Sequence, residues 1–321
     1  MSDRKRKNRG LKVMGIILLI LVFLSAGLVL FAKLSADKIQ KENAESAKAL
    51  KVELEPGVND LEYTYGQNLN AEIKELHIKA DSDAFSEYVI YYPVELSGPY
   101  PVVVWGNGSG GTYKDYEAAL RSLASYGFIV IGNDDSLTGS GKTIYETALF
   151  VETLNTDPDS IFFSKIDIGH IGAGGHSQGA CGAVNAATKY ERSSEIFKSL
   201  FTTSMPKLEM CTGRFEYWSY DVTQVHMPYF MTSGTGPFDA DSIAPLASVQ
   251  ENFHAVPDEN LTVMAIMIGA DHNIVNSFNA CGYMNAWFCY TLKGDEQAAQ
   301  VFVEQAEITN NSERWINVQI K

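Results

Sequence analysis

Residues 168–182 read IGHIGAGGHSQGACG, an apolar run that breaks into a glycine-dense turn and continues as small residues suited to a helix. Its centre, Gly175-His176-Ser177-Gln178-Gly179, is a G-x-S-x-G pentapeptide. Glycines on both sides of Ser177 permit a sharp strand-to-helix turn on which a strained serine projects its hydroxyl over a sheet. Gly174, Ala180 and Gly182 extend the run of small residues, so strand and helix can approach closely here. The pentapeptide alone would describe many glycine-rich loops. The strand before it and the helix after it supply the context that an exposed, reactive serine needs.

Working outward, short apolar strands alternate with helix-length segments. Strands are expected at 73–79, 88–93, 101–105, 128–132, 168–173, 199–203, 228–232 and 261–268, and helices at 114–126, 143–154, 178–190, 242–253 and 284–293. Near-continuous apolar runs such as VVVW, FIVIG and LTVMAIMIG suit strands covered on both faces, and the helices between them provide the crossovers of a parallel sheet. The expected class is α/β: three layers around a mostly parallel sheet of about eight strands, in one domain over 61–321.

A serine hydroxyl is a weak nucleophile until a base takes its proton, and the base needs an acid to fix its tautomer. In the chain order Ser, Asp, His both partners lie downstream of the serine. Only His226, His254 and His272 follow Ser177. His226 precedes a strand at its wrong end and His254 ends a helix, whereas His272 directly follows the last strong strand, where a loop can return over the sheet edge. The acid lies in Gly236-Pro237-Phe238-Asp239-Ala240-Asp241-Ser242. Both aspartates qualify; Asp241 is favoured because it precedes Ser-Ile-Ala-Pro at an expected helix entrance, although an aspartate there can serve as a helix cap alone. The oxyanion of acyl transfer needs two amide donors. The first is the N–H of Gln178, and the second belongs to the turn WGNGSGG at 105–111, with Ser109 as the favoured donor.

These motifs resemble the α/β-hydrolase superfamily, and within it the dienelactone hydrolase, cutinase and polyester hydrolase group. The resemblance spans about 60–321. It rests on WGNGSGG, the elbow GGHSQGA, Asp241-Ser242-Ile243-Ala244-Pro245, and the His272 loop followed by Tyr283-Met284-Asn285-Ala286-Trp287-Phe288. The resemblance implies that the aspartate of the D-x-[VI]-x-P segment is the acid. The chain departs from the group at Gln178, where many members carry Met or Leu, and at Asn107-Gly108, where His-Gly is usual.

The N-terminus has a different character. Residues 1–12 carry six Lys/Arg against one Asp, so of the net −14 a charge of +5 sits there and −19 falls on the remaining 309 residues. So acidic a body lacks the basic surface that a nucleic-acid partner requires, and 45% hydrophobic residues exclude general disorder. Residues 13–32 are twenty residues without a charge, long enough for a helix to cross the roughly 30 Å hydrocarbon core. A basic tail at 1–12, a membrane span at 13–32 and a Lys/Glu/Ala-rich stalk at 33–60 are therefore expected. The tail would be cytoplasmic and the domain exported at the cell membrane. Cleavage of the segment as a signal is the alternative. Four cysteines allow at most two disulfides, in three pairings of which Cys281–Cys289 is one candidate bridge, and the count is equally compatible with buried thiols.

Three further patterns compete for a role. Gly139-Ser140-Gly141-Lys142-Thr143 suggests a phosphate loop but lacks the first glycine of that motif, the position being Ser136. Asp167, His170 and His176 have no zinc-ligand spacing. The aromatic segment 215–220 either walls a cleft or packs as core. The sequence thus leads to a membrane-anchored serine hydrolase of small or polymeric carboxylic esters, using Ser177, His272 and Asp241, with Ser109 and Gln178 as oxyanion donors and no cofactor or metal. Peptidase or acyltransferase chemistry on the same triad, or a silent binding module on this scaffold, are the alternatives.

Overall fold

The strand preceding Ser177 is the longest of nine in a single mixed sheet. In the computed structural model it runs Ile166–His176, and the described residues are 60–67, 72–212, 216–272, 281–303 and 305–321. The expected tail and span, and all of the stalk but its last residue, lie outside them. Among the described residues no helix is long and apolar enough to cross a membrane.

The strands are β1 (Ile73–Lys79), β2 (Glu87–Pro93), β3 (Tyr100–Gly106), β4 (Ile129–Asn133), β5 (Ile166–His176), β6 (Phe197–Thr203), β7 (Tyr229–Gly234), β8 (Thr262–Met267) and β9 (Trp315–Ile320). They lie in the order β1-β2-β4-β3-β5-β6-β7-β8-β9. From β4 through β8 neighbours are parallel, while β1, β2 and β9 pair antiparallel at the margins. The helices are α1 (Asp60–Gly66), α2 (Glu117–Ser125), α3 (Lys142–Thr156), α4 (Gln178–Thr188), α5 (Leu246–Ala255) and α6 (Cys281–Lys293), besides single-turn pieces. The mixed α/β class with a mostly parallel sheet is therefore present, with nine strands instead of eight.

Alternation along the central strands sends successive side chains to opposite faces. Val102 and Val104 join a core with α3, α4 and α5, while Val103 and Trp105 join a second core with α2 and α6. Every residue of β4, β7 and β8 is buried, which is why these stretches carry no polar alternation. The ninth strand was missed because it is an edge strand, pairing only with β8 and half-exposed along most of its length. Ile316, Val318 and Ile320 alternate, but too few apolar residues accompany them to stand out.

α1 is fixed by the far end of the chain. The buried Glu62 carboxylate accepts from Arg314 Nε at 2.9 Å, Trp315 Nε1 at 3.0 Å and Asn311 Nδ2 at 2.5 Å. The Glu307 carboxylate in turn accepts the Leu61 and Glu62 amides. Burial raises the Glu62 pKa, against the lowering effect of Arg314.

All four cysteines are buried thiols. A Cys281–Cys289 bridge is excluded because both lie on α6, where eight residues separate them by about 12 Å along the axis, far beyond disulfide reach.

Candidate active site

The turn after β5 is tight enough to demand its glycines. A Cβ on Gly175 would lie 2.1 Å from the Gly179 carbonyl oxygen, and one on Gly179 would lie 2.1 Å from the Gly106 carbonyl oxygen. Between them Ser177 takes φ +54°, ψ −124°, a conformation that costs a non-glycine residue about 1–3 kcal/mol. Its N–H donates to the Thr203 carbonyl at 3.0 Å, which anchors the turn to β6. The result is a serine at the head of α4, its side chain at the carboxyl edge of the sheet.

His272, just past β8, brings its Nε2 to 2.9 Å from Ser177 Oγ and its Nδ1 to 2.7 Å from Asp239 Oδ1. A carboxylate only accepts, so Nδ1 carries the proton and Nε2 is left to accept from the serine hydroxyl. Ser177 and His272 therefore meet as the sequence suggested. The acid does not: Asp239, not Asp241, faces His272. Asp239 is fully buried, whereas Asp241 is exposed.

The reason lies in two features invisible to local patterning. Residues Asp239–Ile243 form a π-helical turn, and α5 begins only at Leu246 after Pro245, so Asp241 does not stand at the entrance of that helix. Asp271 then accepts from the Phe238 and Asp239 amides at 3.3 and 2.9 Å and from the His272 amide at 2.9 Å, clamping acid loop to histidine loop. The other Asp239 oxygen accepts from Ser204 Oγ at 2.5 Å, Ser233 Oγ at 3.4 Å and Gly234 N at 3.3 Å. Phe238 packs edge-on against the His272 ring, centroids 5.0 Å apart.

The glycine loop after β3 lies beside the serine, since a Cβ on Gly108 would come 3.4 Å from Ser177 Cβ. Asn107 pins this loop by donating to the Asn133 and Asp135 carbonyls at 2.8 and 2.9 Å. Three of its amides are occupied: Gly108 N donates to Tyr116 Oη at 2.8 Å, Gly110 N to Ser136 O, and Gly111 N to Gly108 O. Among the described residues the Ser109 amide has no acceptor. Gln178, as the first residue of α4, likewise has an N–H with no intrahelical partner and sits at the positive end of the helix.

His176 is buried and neutral. Burial, with the neighbouring His272 adding to it, holds its pKa down at about 3. Sequence offers no signal for His176 or Tyr116 beyond the rejected zinc pattern, because a histidine inside the pentapeptide and a tyrosine in the polar run YKDYE have no pattern of their own.

The phosphate-loop pattern and the Asp167–His170 pair stay outside the site, whereas His176 lies within it. Lys142 pairs with Glu146 at 3.3 Å on an exposed helix face, and Thr143 donates to buried Asp135. His170 pairs with Asp167 at the surface. Among the described residues no cluster of three or more His, Cys, Asp or Glu is placed to hold a metal. Of the aromatic segment, Trp218 and Tyr220 are buried and Tyr217 is exposed, while Phe215 lies outside the described residues. No protein-family model matches the chain, and no curated protein matches it in sequence.

Proposed function

We propose that the chain is a serine hydrolase of carboxylic esters built on the α/β-hydrolase plan. The observation that carries this reading is the continuous hydrogen-bonded line Ser177–His272–Asp239, with the serine strained at a strand-to-helix turn. The strand order, with the serine after the fifth strand and the acid and histidine after the seventh and eighth, supports the resemblance.

In the reaction, Ser177 Oγ attacks the ester carbonyl while His272 Nε2 takes its proton. Asp239 holds the ring and stabilises the imidazolium that forms. The Ser109 and Gln178 amides receive the oxyanion. His272 then protonates the leaving alcohol, and a water deprotonated by His272 releases the acid from the acyl-enzyme. The chemistry needs no cofactor. Residues 13–32 would hold the enzyme at the membrane, with the acidic domain on the outer side.

The test is covalent labelling of the full-length protein in detergent with a fluorophosphonate. Wild type is expected to label and Ser177→Ala is not; a folded wild type that resists labelling would refute the hydrolase reading.

A further inference from the structure

Three loops must keep register for this site to work: the glycine loop at 107–111, the elbow at 176–178 and the segment ending at His272. One pair of side chains joins all three. Tyr116 Oη accepts the Gly108 N–H at 2.8 Å and lies 2.9 Å from His176 Nδ1, and His176 Nε2 is hydrogen-bonded to the His272 carbonyl oxygen.

The directions of these bonds follow from valence. A carbonyl oxygen only accepts, so His176 Nε2 carries the hydrogen. Nδ1 of the neutral ring is then an acceptor, and the Tyr116 hydroxyl donates to it. That leaves the tyrosine oxygen to accept from Gly108. One chain results, from Gly108 N–H through Tyr116 O–H to His176 Nδ1, and from His176 Nε2–H to the His272 carbonyl. Tyr116 is 3% and His176 4% exposed, so water cannot replace either partner. The rings of His176 and His272 lie 4.8 Å apart, tilted by 52°.

We propose that Tyr116 and His176 are positioning residues that set the oxyanion donors and the catalytic histidine against Ser177, a role that rests on the hydrolase reading. Holding the Gly108 N–H on Tyr116 occupies that amide and leaves the Ser109 amide for the oxyanion. Holding the His272 main chain fixes the root of the side chain whose far end Asp239 orients. His272 is thereby held at two points, and the oxyanion loop moves only if the histidine loop moves with it. The interactions these residues place are strongest in the transition state, so their loss falls on turnover and spares substrate binding.

The experiment measures hydrolysis of p-nitrophenyl acetate by full-length wild type, Tyr116→Phe, His176→Phe, His176→Gln and the Tyr116→Phe/His176→Phe double variant. Phenylboronic acid, whose tetrahedral serine adduct places an oxygen between the two amides, is the second readout. Tyr116→Phe and His176→Phe are expected to lower kcat about tenfold or more with KM within about twofold, and to weaken the boronate by the same factor. The double variant is expected to be no worse than the poorer single one, because each breaks the same chain. His176→Gln keeps an N–H directed at the His272 carbonyl and is expected to recover part of the loss. The proposal is overturned if wild type turns over but Tyr116→Phe keeps its kcat within twofold, if boronate affinity does not follow kcat, or if the losses multiply in the double variant. A wild type that neither labels nor turns over removes the hydrolase reading itself, and the proposal with it.

Discussion

Acidification from pH 7 to pH 5 is expected to cost the fold about 2 kcal/mol through His176 alone. An unfolded histidine titrates near 6.5, while burial holds the folded one at about 3. Between those values the unfolded chain binds a proton that the folded chain refuses, so stability falls as pH falls, by up to about 1.4 kcal/mol per pH unit. The loss begins near pH 6.5 and is complete only below about pH 3. For a domain of this size, 2 kcal/mol corresponds to a drop in Tm of roughly 4–8 °C. Other groups contribute too: desolvation is the largest single influence on His77 and lowers its pKa, but the hydrogen bonds and charges of Glu75 and Glu87 together outweigh it, so His77 adds stability as pH falls toward 6.5, above the window in which His176 loses it. The measurement is therefore a difference: urea unfolding of the full-length wild type and His176→Phe, followed by tryptophan fluorescence at pH 7 and pH 5. The variant starts lower at pH 7 because it lacks two hydrogen bonds, but it is expected to lose about 2 kcal/mol less than wild type on acidification. Equal losses in the two proteins would show that His176 is not held neutral by its surroundings, and would refute the reasoning.

Three further outcomes follow from the site and its supports. Asp239→Asn is expected to lower kcat about 10⁴-fold, the scale seen when a triad acid can no longer fix the histidine tautomer, while Asp241→Asn stays within a few-fold; comparable losses in both would remove Asp239 from the site. Gly179→Ala drives a Cβ to 2.1 Å from the Gly106 carbonyl, so labelling of Ser177 is expected to vanish even where protein is recovered; normal labelling would mean the elbow is far softer than its contacts. Deletion of residues 1–33 is expected to move the protein from membrane to soluble fractions, and retention on membranes would count against the anchor.

The central strands and the elbow could be read from sequence because burial on both faces writes itself as uninterrupted apolar runs, and because tight backbone contact writes itself as glycine. Ser177 and His272 followed from chain order and loop position. The acid did not, because Asp239 and Asp241 are separated by one residue and the choice between them is made by Asp271, which captures two amides from a loop more than thirty positions earlier. The DSIAP segment suggested a helix start, yet the chain makes a π-helical turn there and begins α5 later. Tyr116 and His176 meet across sixty residues, and no local pattern records such a pairing.

The clasp on Glu62 bears on how the chain matures. α1 also meets α6 and Tyr126, but its buried Glu62 carboxylate finds Asn311, Arg314 and Trp315, so that charge stays uncompensated until those residues have been synthesised. A nascent chain interrupted before Arg314 would leave the buried Glu62 carboxylate without its counter-charge. The setting of α1 thus registers whether residues 311–315 are in place. Truncation before residue 311 is expected to be sensed at α1, 249 positions away from Asn311 in the chain.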